Sequence, residues 1–339
     1  MSFNQYTWDL SKQTTIGIEM IKYFSDAGGY VLFKDYCPYA NFIPEDLYND
    51  WLENIYCYGV SDYDHPSLLE EAKDLYISLI TLGIRVEGQQ WLPANDFKNM
   101  LGIIQPMSYV LSQFAPEYFF PYLFLCRIFE LNKIADFFNI DLPNIPKRTD
   151  YKGRCMYYWE LCEVFYLFRK ENGLSPADLW SFLYDFAPNN LPSEKIDMPK
   201  PSQVWFIGGR LYQEDKSLES KFWQSSPETK KGDILVHYET SPISAITCIE
   251  ISLTDGVIDP LFRYYGCIYI GNRINIPHIT LKELQTDEYF FKHPLVRKNF
   301  QGVNGWSVNS ENYSELLRMI KTKGFDIEVC RTTIAGTIA

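Results

Sequence analysis

The stretch KKGDILVHYE at residues 230–239 decides the fold of the C-terminal part of this chain. A lysine-containing turn leads into an apolar strand that ends in aromatic residues. A second aromatic strand, VWFI at 204–207, precedes the turn, and Trp223 stands alone in the polar stretch between them. This order predicts one small β-barrel with flat aromatic side chains and a few polar ones near its mouth. Such a site suits a planar ligand such as a nucleobase.

The residues around this stretch follow a period of two, which is typical of strands. We expect strands at 203–208, 233–239, 244–253 and 265–273. Ser310 to Lys321 predicts a terminal helix, with Asn309 or Ser310 as the N-cap and Glu311 in the first turn. Short strands with one terminal helix predict a small α+β barrel over 203–325.

The N-terminal part has helical patterns instead. Ser67 and Glu70 form a capping-box pattern before an apolar-periodic stretch that ends near Gly83. Residues 118–138 are apolar nearly all round, which predicts a central buried helix. Two more helices are expected at 156–171 and, with Ser175 as N-cap and Pro176 at its first position, at 175–186. We expect an N-terminal all-helical domain with an aromatic core and an unknown role.

A proline-rich stretch predicts the domain boundary. Residues 187–202 contain four prolines and little apolar periodicity. Prolines deny backbone hydrogen bonds to helices and sheets, so this stretch is expected to be a linker. The predicted organisation is a helical domain at 1–186, the linker at 187–202, the barrel at 203–325 and a tail at 326–339.

Composition and charge exclude several classes of protein. The net charge is −12, and nearly all of the acidic excess lies in the first 200 residues. An acidic surface repels nucleic acid, so only the second part is expected to contact phosphates. No apolar run reaches the roughly 18 residues of a membrane-spanning helix, and the start of the chain lacks a signal-peptide pattern. We therefore expect no membrane partner.

The cysteines and histidines indicate the cellular compartment. The eight cysteines form no CxxC pair, and most have apolar neighbours, as reduced core thiols do. The four histidines are scattered along the chain. This pattern favours a reduced, cytoplasmic protein and predicts neither a zinc site nor another cofactor.

In this order of features, residues 203–322 resemble the PUA-like superfamily, and most of all its EVE type. That type begins with a strand containing a tryptophan, here Trp205, and has an isolated loop tryptophan, here Trp223. A Lys-x-Gly-Asp turn then leads into an aromatic strand, as at 230–238. Three later segments are also similar: 276–284, 300–308 and Glu311-Asn312-Tyr313. The resemblance leaves the first 200 residues without a family.

The resemblance implies a non-catalytic pocket that reads a modified base, often after the base has left a duplex. Trp223 matches the isolated tryptophan and is the first candidate for stacking on the base. The other positions carried over are Tyr238, Glu239, Thr240 and Ser241 at the mouth, with Trp205 and Trp306 as further walls. Trp205 is equally a candidate core residue, and Trp306 is equally a packing anchor for the terminal helix.

Two departures from the EVE pattern narrow this expectation. Where the family has Gly-Val-Arg after the isolated tryptophan, this chain has Gln224-Ser225-Ser226, which lacks the basic group suited to a phosphate. Where the family has His-Ser, this chain has Glu239-Thr240. A carboxylate at the mouth disfavours phosphate and accepts hydrogen bonds from an exocyclic amine, as on cytosine or adenine. The remaining candidates for phosphate contact are Arg210, Lys230, Lys231, Arg297 and Lys298, together with Lys221 and Arg263.

Three hypotheses for the function stay open at this point. The first is a reader of modified nucleic acid, serving as a specificity module in defence or in nucleic-acid modification, with the acidic helical domain binding a protein partner. The second is a small PUA-like hydrolase of modified nucleosides that uses Lys231, Thr240 and Glu239. The third is a protein–protein interaction module whose barrel has no ligand.

Overall fold

The chain divides into two units. A computed structural model describes residues 3–25, 52–86, 89–90, 92, 96–125, 127–192, 198–210, 221–262 and 265–328. Unit 1 contains residues 1–192 and 260–263, and unit 2 contains residues 193–259 and 264–339. The division falls inside the predicted linker, whose first residues form a short helix of unit 1. Helices dominate unit 1 and a curled mixed sheet dominates unit 2, which confirms the α+β class.

Unit 1 is built from helices around an aromatic core. Its helices are α1 (Gln5–Lys12), α2 (Thr15–Ser25), α3 (Leu69–Leu82), α4 (Phe97–Phe114), α5 (Ile128–Phe138), α6 (Tyr151–Glu171), α7 (Pro176–Ser181) and α8 (Ala187–Asn190), with π-helical turns at Tyr56–Val60 and Phe182–Phe186. The expectation of an all-helical domain misses one short hairpin, in which β1 (Arg85–Val86) pairs with β2 (Gln89–Gln90). Residues 260–263 also belong to this unit, where the buried Arg154 donates hydrogen bonds to the carbonyl oxygens of Pro260 and Phe262.

The predicted central helix at 118–138 is wrong over its first half. Only α5 is helical, and α4 is the more deeply buried helix. Pro121 lacks an N–H and restricts the residue before it, which disfavours a helix there. The buried backbone of this stretch bonds instead to three side chains, which a helical pattern cannot reveal. Tyr158 donates to the Phe120 carbonyl, Tyr184 donates to the Pro121 carbonyl and accepts from Leu123 N, and Ser108 accepts from Tyr122 N.

The capping box of α3 lies one residue later than predicted. Its acidic member is Glu71 and not Glu70, and the Glu71 carboxylate accepts hydrogen bonds from the backbone and hydroxyl of Ser67. These hydrogen bonds lower the pKa of Glu71. The predicted end at Gly83 is confirmed, since Gly83 follows the helix with φ 76°. The N-cap of α7 by Ser175 is also confirmed.

The described residues of unit 2 form one mixed sheet and three helices. Its strands are β3 (Val204–Gly209), β4 (Lys221–Gln224), β5 (Ile234–Glu239), β6 (Ala245–Ser252), β7 (Val257–Ile258), β8 (Gly266–Thr280) and β9 (Trp306–Val308), and its helices are α9 (Leu281–Thr286), α10 (Pro294–Arg297) and α11 (Ser310–Thr322). A single 3₁₀ turn covers Phe290–Lys292. The four predicted strands and the terminal helix are confirmed. The expectation that Trp223 lies in a loop is wrong, because Trp223 lies in β4.

The sheet curls into a half-barrel. Its strand order is β4-β8-β6-β5-β3-β9, with β7 also paired to β8, and β3 and β5 run parallel while the other pairs are antiparallel. The two ends of this order nevertheless approach each other, through β3, which neighbours β9, and through Asn304, which precedes β9. The Trp223 ring of β4 lies against Gly209 of β3, and the side chain of Asn304 donates to that of Gln224 at 3.2 Å. The face on which Trp223 meets Gly209 is therefore the concave one.

The two faces of the sheet carry different residues. The convex face packs against α9, α10 and α11 through a large apolar cluster that includes Phe206, Tyr238 and Leu316. Ile327, in the predicted tail, also packs there, so the ordered chain of unit 2 continues past 325. The concave face carries a small cluster of Trp205, Ile207, Leu235, Ile268 and Ile270, with Trp223 packed against it.

The buried carboxylate of Asp233 closes one end of the concave face. It accepts five hydrogen bonds: from the backbone and hydroxyl of Ser202, from Gln203 N, from Trp205 Nε1 and from Lys230 N, at 2.8 to 3.1 Å. These bonds join the beginnings of the parallel strands β3 and β5. Gly232 precedes Asp233 with φ 89°, and a Cβ there would lie 2.4 Å from the Pro199 carbonyl oxygen. The Gly-Asp of the turn is thus a structural requirement.

Replacing Asp233 with Asn is expected to destabilise unit 2. The amide keeps one acceptor but turns an N–H₂ group toward buried donors, which costs about 3 kcal/mol. Hydrogen–deuterium exchange of the full chain, followed by mass spectrometry, is expected to show correspondingly faster exchange of peptides from β3 and β5. Asp255→Asn is the matched control, because that side chain is 60% exposed and its loss costs at most about 1 kcal/mol. Equal exchange in both variants would contradict the structural role of Asp233.

Candidate functional site

Trp223 lies at the end of the concave face opposite Asp233. In β4 it pairs with Ile268 of β8. Its half-buried indole ring covers Gly209, where an added Cβ would lie 2.5 Å from Trp223 Cζ2. The ring also contacts the imidazole of His237, with 4.7 Å between ring centroids and 61° between the planes. Because Gly209 has no side chain, the indole is held directly against the end of β3.

Several predicted polar residues gather beside this ring. Glu239, the last residue of β5, pairs with Gly209 in the parallel ladder. Thr240 N donates to the Gly209 carbonyl at 3.2 Å. Arg210 Nε donates to the Ser241 carbonyl at 3.1 Å. The fold therefore brings Trp223, Glu239, Thr240 and Ser241 together, and adds Arg210, which the sequence offered only as a phosphate contact.

The other three predicted aromatic residues lie elsewhere. Tyr238 points to the convex face, where its ring stacks on Phe300 at 4.0 Å and 2°. Trp306, in β9, also packs against the convex cluster. Trp205 shares the concave face with Trp223 but is 5% exposed and hydrogen-bonded to Asp233, so it belongs to the core, one of the two alternatives left open by the sequence.

Most predicted phosphate contacts also lie away from Trp223. Lys230 and Lys231 precede β5, and Lys230 Nζ lies 3.5 Å from the Asp255 carboxylate. At about 3.3 Å per residue, β5 separates this turn from Glu239 by about 17 Å. The proposed hydrolase set of Lys231, Thr240 and Glu239 is thus divided between the two ends of one strand. Arg297 and Lys298 are exposed at α10, on the helical side. Arg263 and the side chain of Lys221 lie outside the described residues.

A buried polar cluster beside Trp223 was missed from the sequence. His237 Nδ1 lies 3.1 Å from Glu250 Oε2, and Arg273 Nε lies 2.7 Å from Glu250 Oε1. His237 and Glu250 are almost fully buried, whereas the Arg273 side chain is 31% exposed. Its terminal Nη atoms make no hydrogen bond to any residue that the structure describes. Arg273 thus offers free donors at the edge of the cluster.

Charge interactions fix the ionisation of this cluster. Burial raises the pKa of Glu250, but the hydrogen bond and charge of His237 and those of Arg273 outweigh burial, so the pKa is lowered. Burial lowers the pKa of Arg273, but the carboxylate of Glu250, with a smaller effect of Glu239, raises it overall. Burial raises the pKa of the neighbouring Cys248 thiol to about 12. At neutral pH the cluster therefore holds an anionic Glu250, a cationic Arg273 and a neutral thiol.

Signals for this cluster exist in the sequence, but they do not show that its members meet. Glu250 is the one charged residue in the otherwise uncharged strand AITCIEIS. Arg273 follows Asn272, whose φ is 52°, in a strand with irregular pairing. The register of β6 against β8 shifts at two places, so cross-strand partners cannot be counted from the sequence.

Known proteins give this chain no family. No model of a protein family matches the chain, and no curated protein matches it. A protein from Rhodopseudomonas palustris, solved by NMR, aligns with 35% of this chain and 94% of its own length, at 14% identity and a TM-score of 0.31. Within the part of the chain that the structure describes, no helix combines the length and apolarity needed to cross a membrane.

Replacing Arg273 with Met is expected to destabilise unit 2 by about 3–5 kcal/mol, because it leaves the Glu250 carboxylate buried beside His237 alone. Replacing Glu250 with Met in the same chain should recover much of that loss, since the buried charge is then removed. Urea unfolding of the single and double variants measures the coupling between the two residues.

Arg318→Met is the control, because the Arg318 side chain is 47% exposed and solvent screens its ion pairs. The lowered pKa of Glu250 means that its stabilising contribution is complete above the ordinary carboxyl pKa and is lost as the pH falls through the folded-state value. The cost of Arg273→Met should therefore shrink in acid. Additive effects of the two Met substitutions at neutral pH would contradict the coupling.

Proposed function

We propose that unit 2 is a PUA-like, EVE-type domain that binds a planar, modified nucleobase without catalysis. The base would stack on Trp223 at the open end of the concave face. The observation that carries this proposal is the position of the half-buried Trp223 ring, fixed against Gly209 and His237 beside Glu239, Thr240 and Arg210.

The energetics of stacking support this position. A base stacked on an aromatic side chain gains about 1–3 kcal/mol of binding free energy. This gain depends little on which base is stacked, because every base has a π-face. A free indole would lose conformational freedom on binding, whereas Trp223 is already held by Gly209 and His237. A preorganised ring of this kind is suited to a ligand that arrives as a flipped base or a nucleoside.

Two charged groups are offered to the edge of the base: Glu239, next to Gly209 under the Trp223 ring, and Arg273, linked to His237 through Glu250. The Glu239 carboxylate accepts from an exocyclic amine, and the free Nη donors of Arg273 suit a carbonyl oxygen. Glu239 and Arg273 interact electrostatically, so the two groups belong to one charged region. Cytosine and guanine, with their derivatives, each carry an exocyclic amine and a carbonyl on one base. Arg273 thus supplies a cation that the Gln224-Ser225-Ser226 segment lacks.

Contacts with phosphate groups would contribute less to binding than contacts with the base. Among the predicted cations whose side chains the structure describes, Arg210 is the one beside Trp223. Binding should therefore depend on the base more than on the length of the polymer. We also propose that the acidic unit 1 binds a protein partner. The whole chain would then serve as a specificity module in defence or nucleic-acid modification. A cytoplasmic location belongs to the same proposal, and the free thiols at all five described cysteines are in keeping with it.

A binding screen of the full chain tests this function. Short single strands and duplexes carrying cytosine, 5-methylcytosine, 5-hydroxymethylcytosine or N6-methyladenine are compared by fluorescence polarisation at fixed salt. We expect at least one modified base to bind more tightly than its plain counterpart. Trp223→Ala should weaken that binding about tenfold or more, because the stacking energy is lost.

Trp306→Ala is the matched control, since it removes a half-buried tryptophan from the convex face and should leave the preference intact. Glu239→Gln should reduce discrimination for amine-bearing bases. Equal affinity for modified and plain bases, or full binding by Trp223→Ala, would contradict the proposal and favour an interaction module without a base ligand.

A further inference from the structure

Three potential metal ligands meet beneath Trp223. One ring nitrogen of His237, the Cys248 sulfur and one carboxylate oxygen of Glu250 all lie within 4.8 Å of one another. His237 of β5 and Cys248 of β6 are direct partners in the antiparallel ladder, and Glu250 lies two residues farther along the same face. The sequence predicted no zinc site because its histidines and cysteines are scattered, but strand pairing brings these three together.

We propose that His237, Cys248 and Glu250 bind one divalent cation of the zinc class. Imidazole, thiolate and carboxylate are all zinc ligands, and a set of three protein ligands is typical of sites that keep a fourth position for water or another ligand. Sulfur and nitrogen together favour zinc, or cobalt as its probe, over magnesium or calcium, which prefer oxygen ligands.

The observed distances fit such a site after a small movement. Zinc bonds to nitrogen and oxygen of about 2.0–2.2 Å place two ligands of a tetrahedron about 3.3 Å apart. The separation of His237 Nδ1 and Glu250 Oε2 is 3.1 Å. A zinc–sulfur bond of about 2.3 Å requires a nitrogen–sulfur separation of about 3.6 Å. The three ligand atoms lie within 4.8 Å of one another, so closing the site around a cation requires side-chain movements of about 1 Å.

Arg273 and Trp223 take the roles of outer partners. Arg273 binds Glu250 through Oε1, which leaves Oε2 directed at His237. Such a hydrogen bond to a ligating carboxylate orients it toward the metal. His237 Nε2 is buried and has no hydrogen-bond partner among the described residues. With a cation at Nδ1, the proton of the imidazole resides on Nε2, and the imidazole is held against the Trp223 ring with 4.7 Å between the ring centroids.

The charge of the region also suits a divalent cation. The region holds the carboxyl groups of Glu239 and Glu250 and the guanidinium of Arg273. A divalent cation bound by the Glu250 carboxylate adds positive charge to this buried acidic site, which lowers the cost of burying the carboxylate.

Cobalt titration of the full chain tests this site. The protein is treated with a chelator, kept reduced, and titrated with Co²⁺ alone. We expect about one equivalent to bind with a thiolate-to-cobalt charge-transfer band, and Zn²⁺ to displace it. Cys248→Ala should remove the band while the fold, checked by circular dichroism, is kept. Cys57→Ala, which removes an exposed thiol, should leave the band unchanged.

Glu250→Gln provides a second variant that retains the thiol and the shape of the side chain, and it should weaken Co²⁺ binding by at least about tenfold. The absence of a saturable thiolate band in the wild-type chain would overturn the proposal and leave His237 and Glu250 as a hydrogen-bonded pair. A band that survives in Cys248→Ala would also overturn it. The readout involves no nucleobase, so its result is independent of the proposed reader function.

Discussion

The buried carboxylate of Asp233 is the interaction on which the geometry of unit 2 depends. By accepting hydrogen bonds from residues before β3, from Trp205 within β3 and from Lys230 before β5, it aligns the beginnings of two parallel strands. Parallel strands lack a tight hairpin to set their register, so a side-chain constraint at one end has a large effect. The same register places Gly209 opposite Glu239 at the other end, where Trp223 then lies against Gly209.

The concave face changes character along its length. Near Asp233 it is sealed by Trp205 and aliphatic residues. Beside Trp223 it carries His237, which is linked through Glu250 to Arg273. Buried ion pairs contribute little net stability compared with apolar residues of the same volume. Aliphatic residues of the same volume would therefore stabilise the fold at least as well as this polar network does. Both proposals, a nucleobase on Trp223 and a cation beneath it, use that network.

The sequence predicted what depends on local pattern. The strands of unit 2 and the helix α11 follow from periodicity and capping. The resemblance to the EVE type places Trp223, Tyr238, Glu239, Thr240 and Ser241 at one site. Adjacent residues of a strand point to opposite faces, however, and Tyr238 packs on the convex side. The helix predicted at 118–138 is absent in its first half because of Pro121. Tyrosine and serine side chains distant in sequence bond to the backbone there instead. The meeting of Glu250 with Arg273 depends on β-bulges, which periodicity does not locate.

The most direct test is NMR of the full chain with ¹⁵N-labelled tryptophan indoles, in which Trp205 and Trp223 are assigned from their Phe variants. Trp205 Nε1–H donates to buried Asp233, and Trp223 Nε1 makes no hydrogen bond to the described residues. We predict slow hydrogen–deuterium exchange at Trp205 and fast exchange at Trp223. On addition of a mixture of modified nucleosides, the Trp223 resonance should shift and the Trp205 resonance should not. Equal exchange at the two indoles, or a shift confined to Trp205, would contradict the division of the concave face into a sealed end and a binding end.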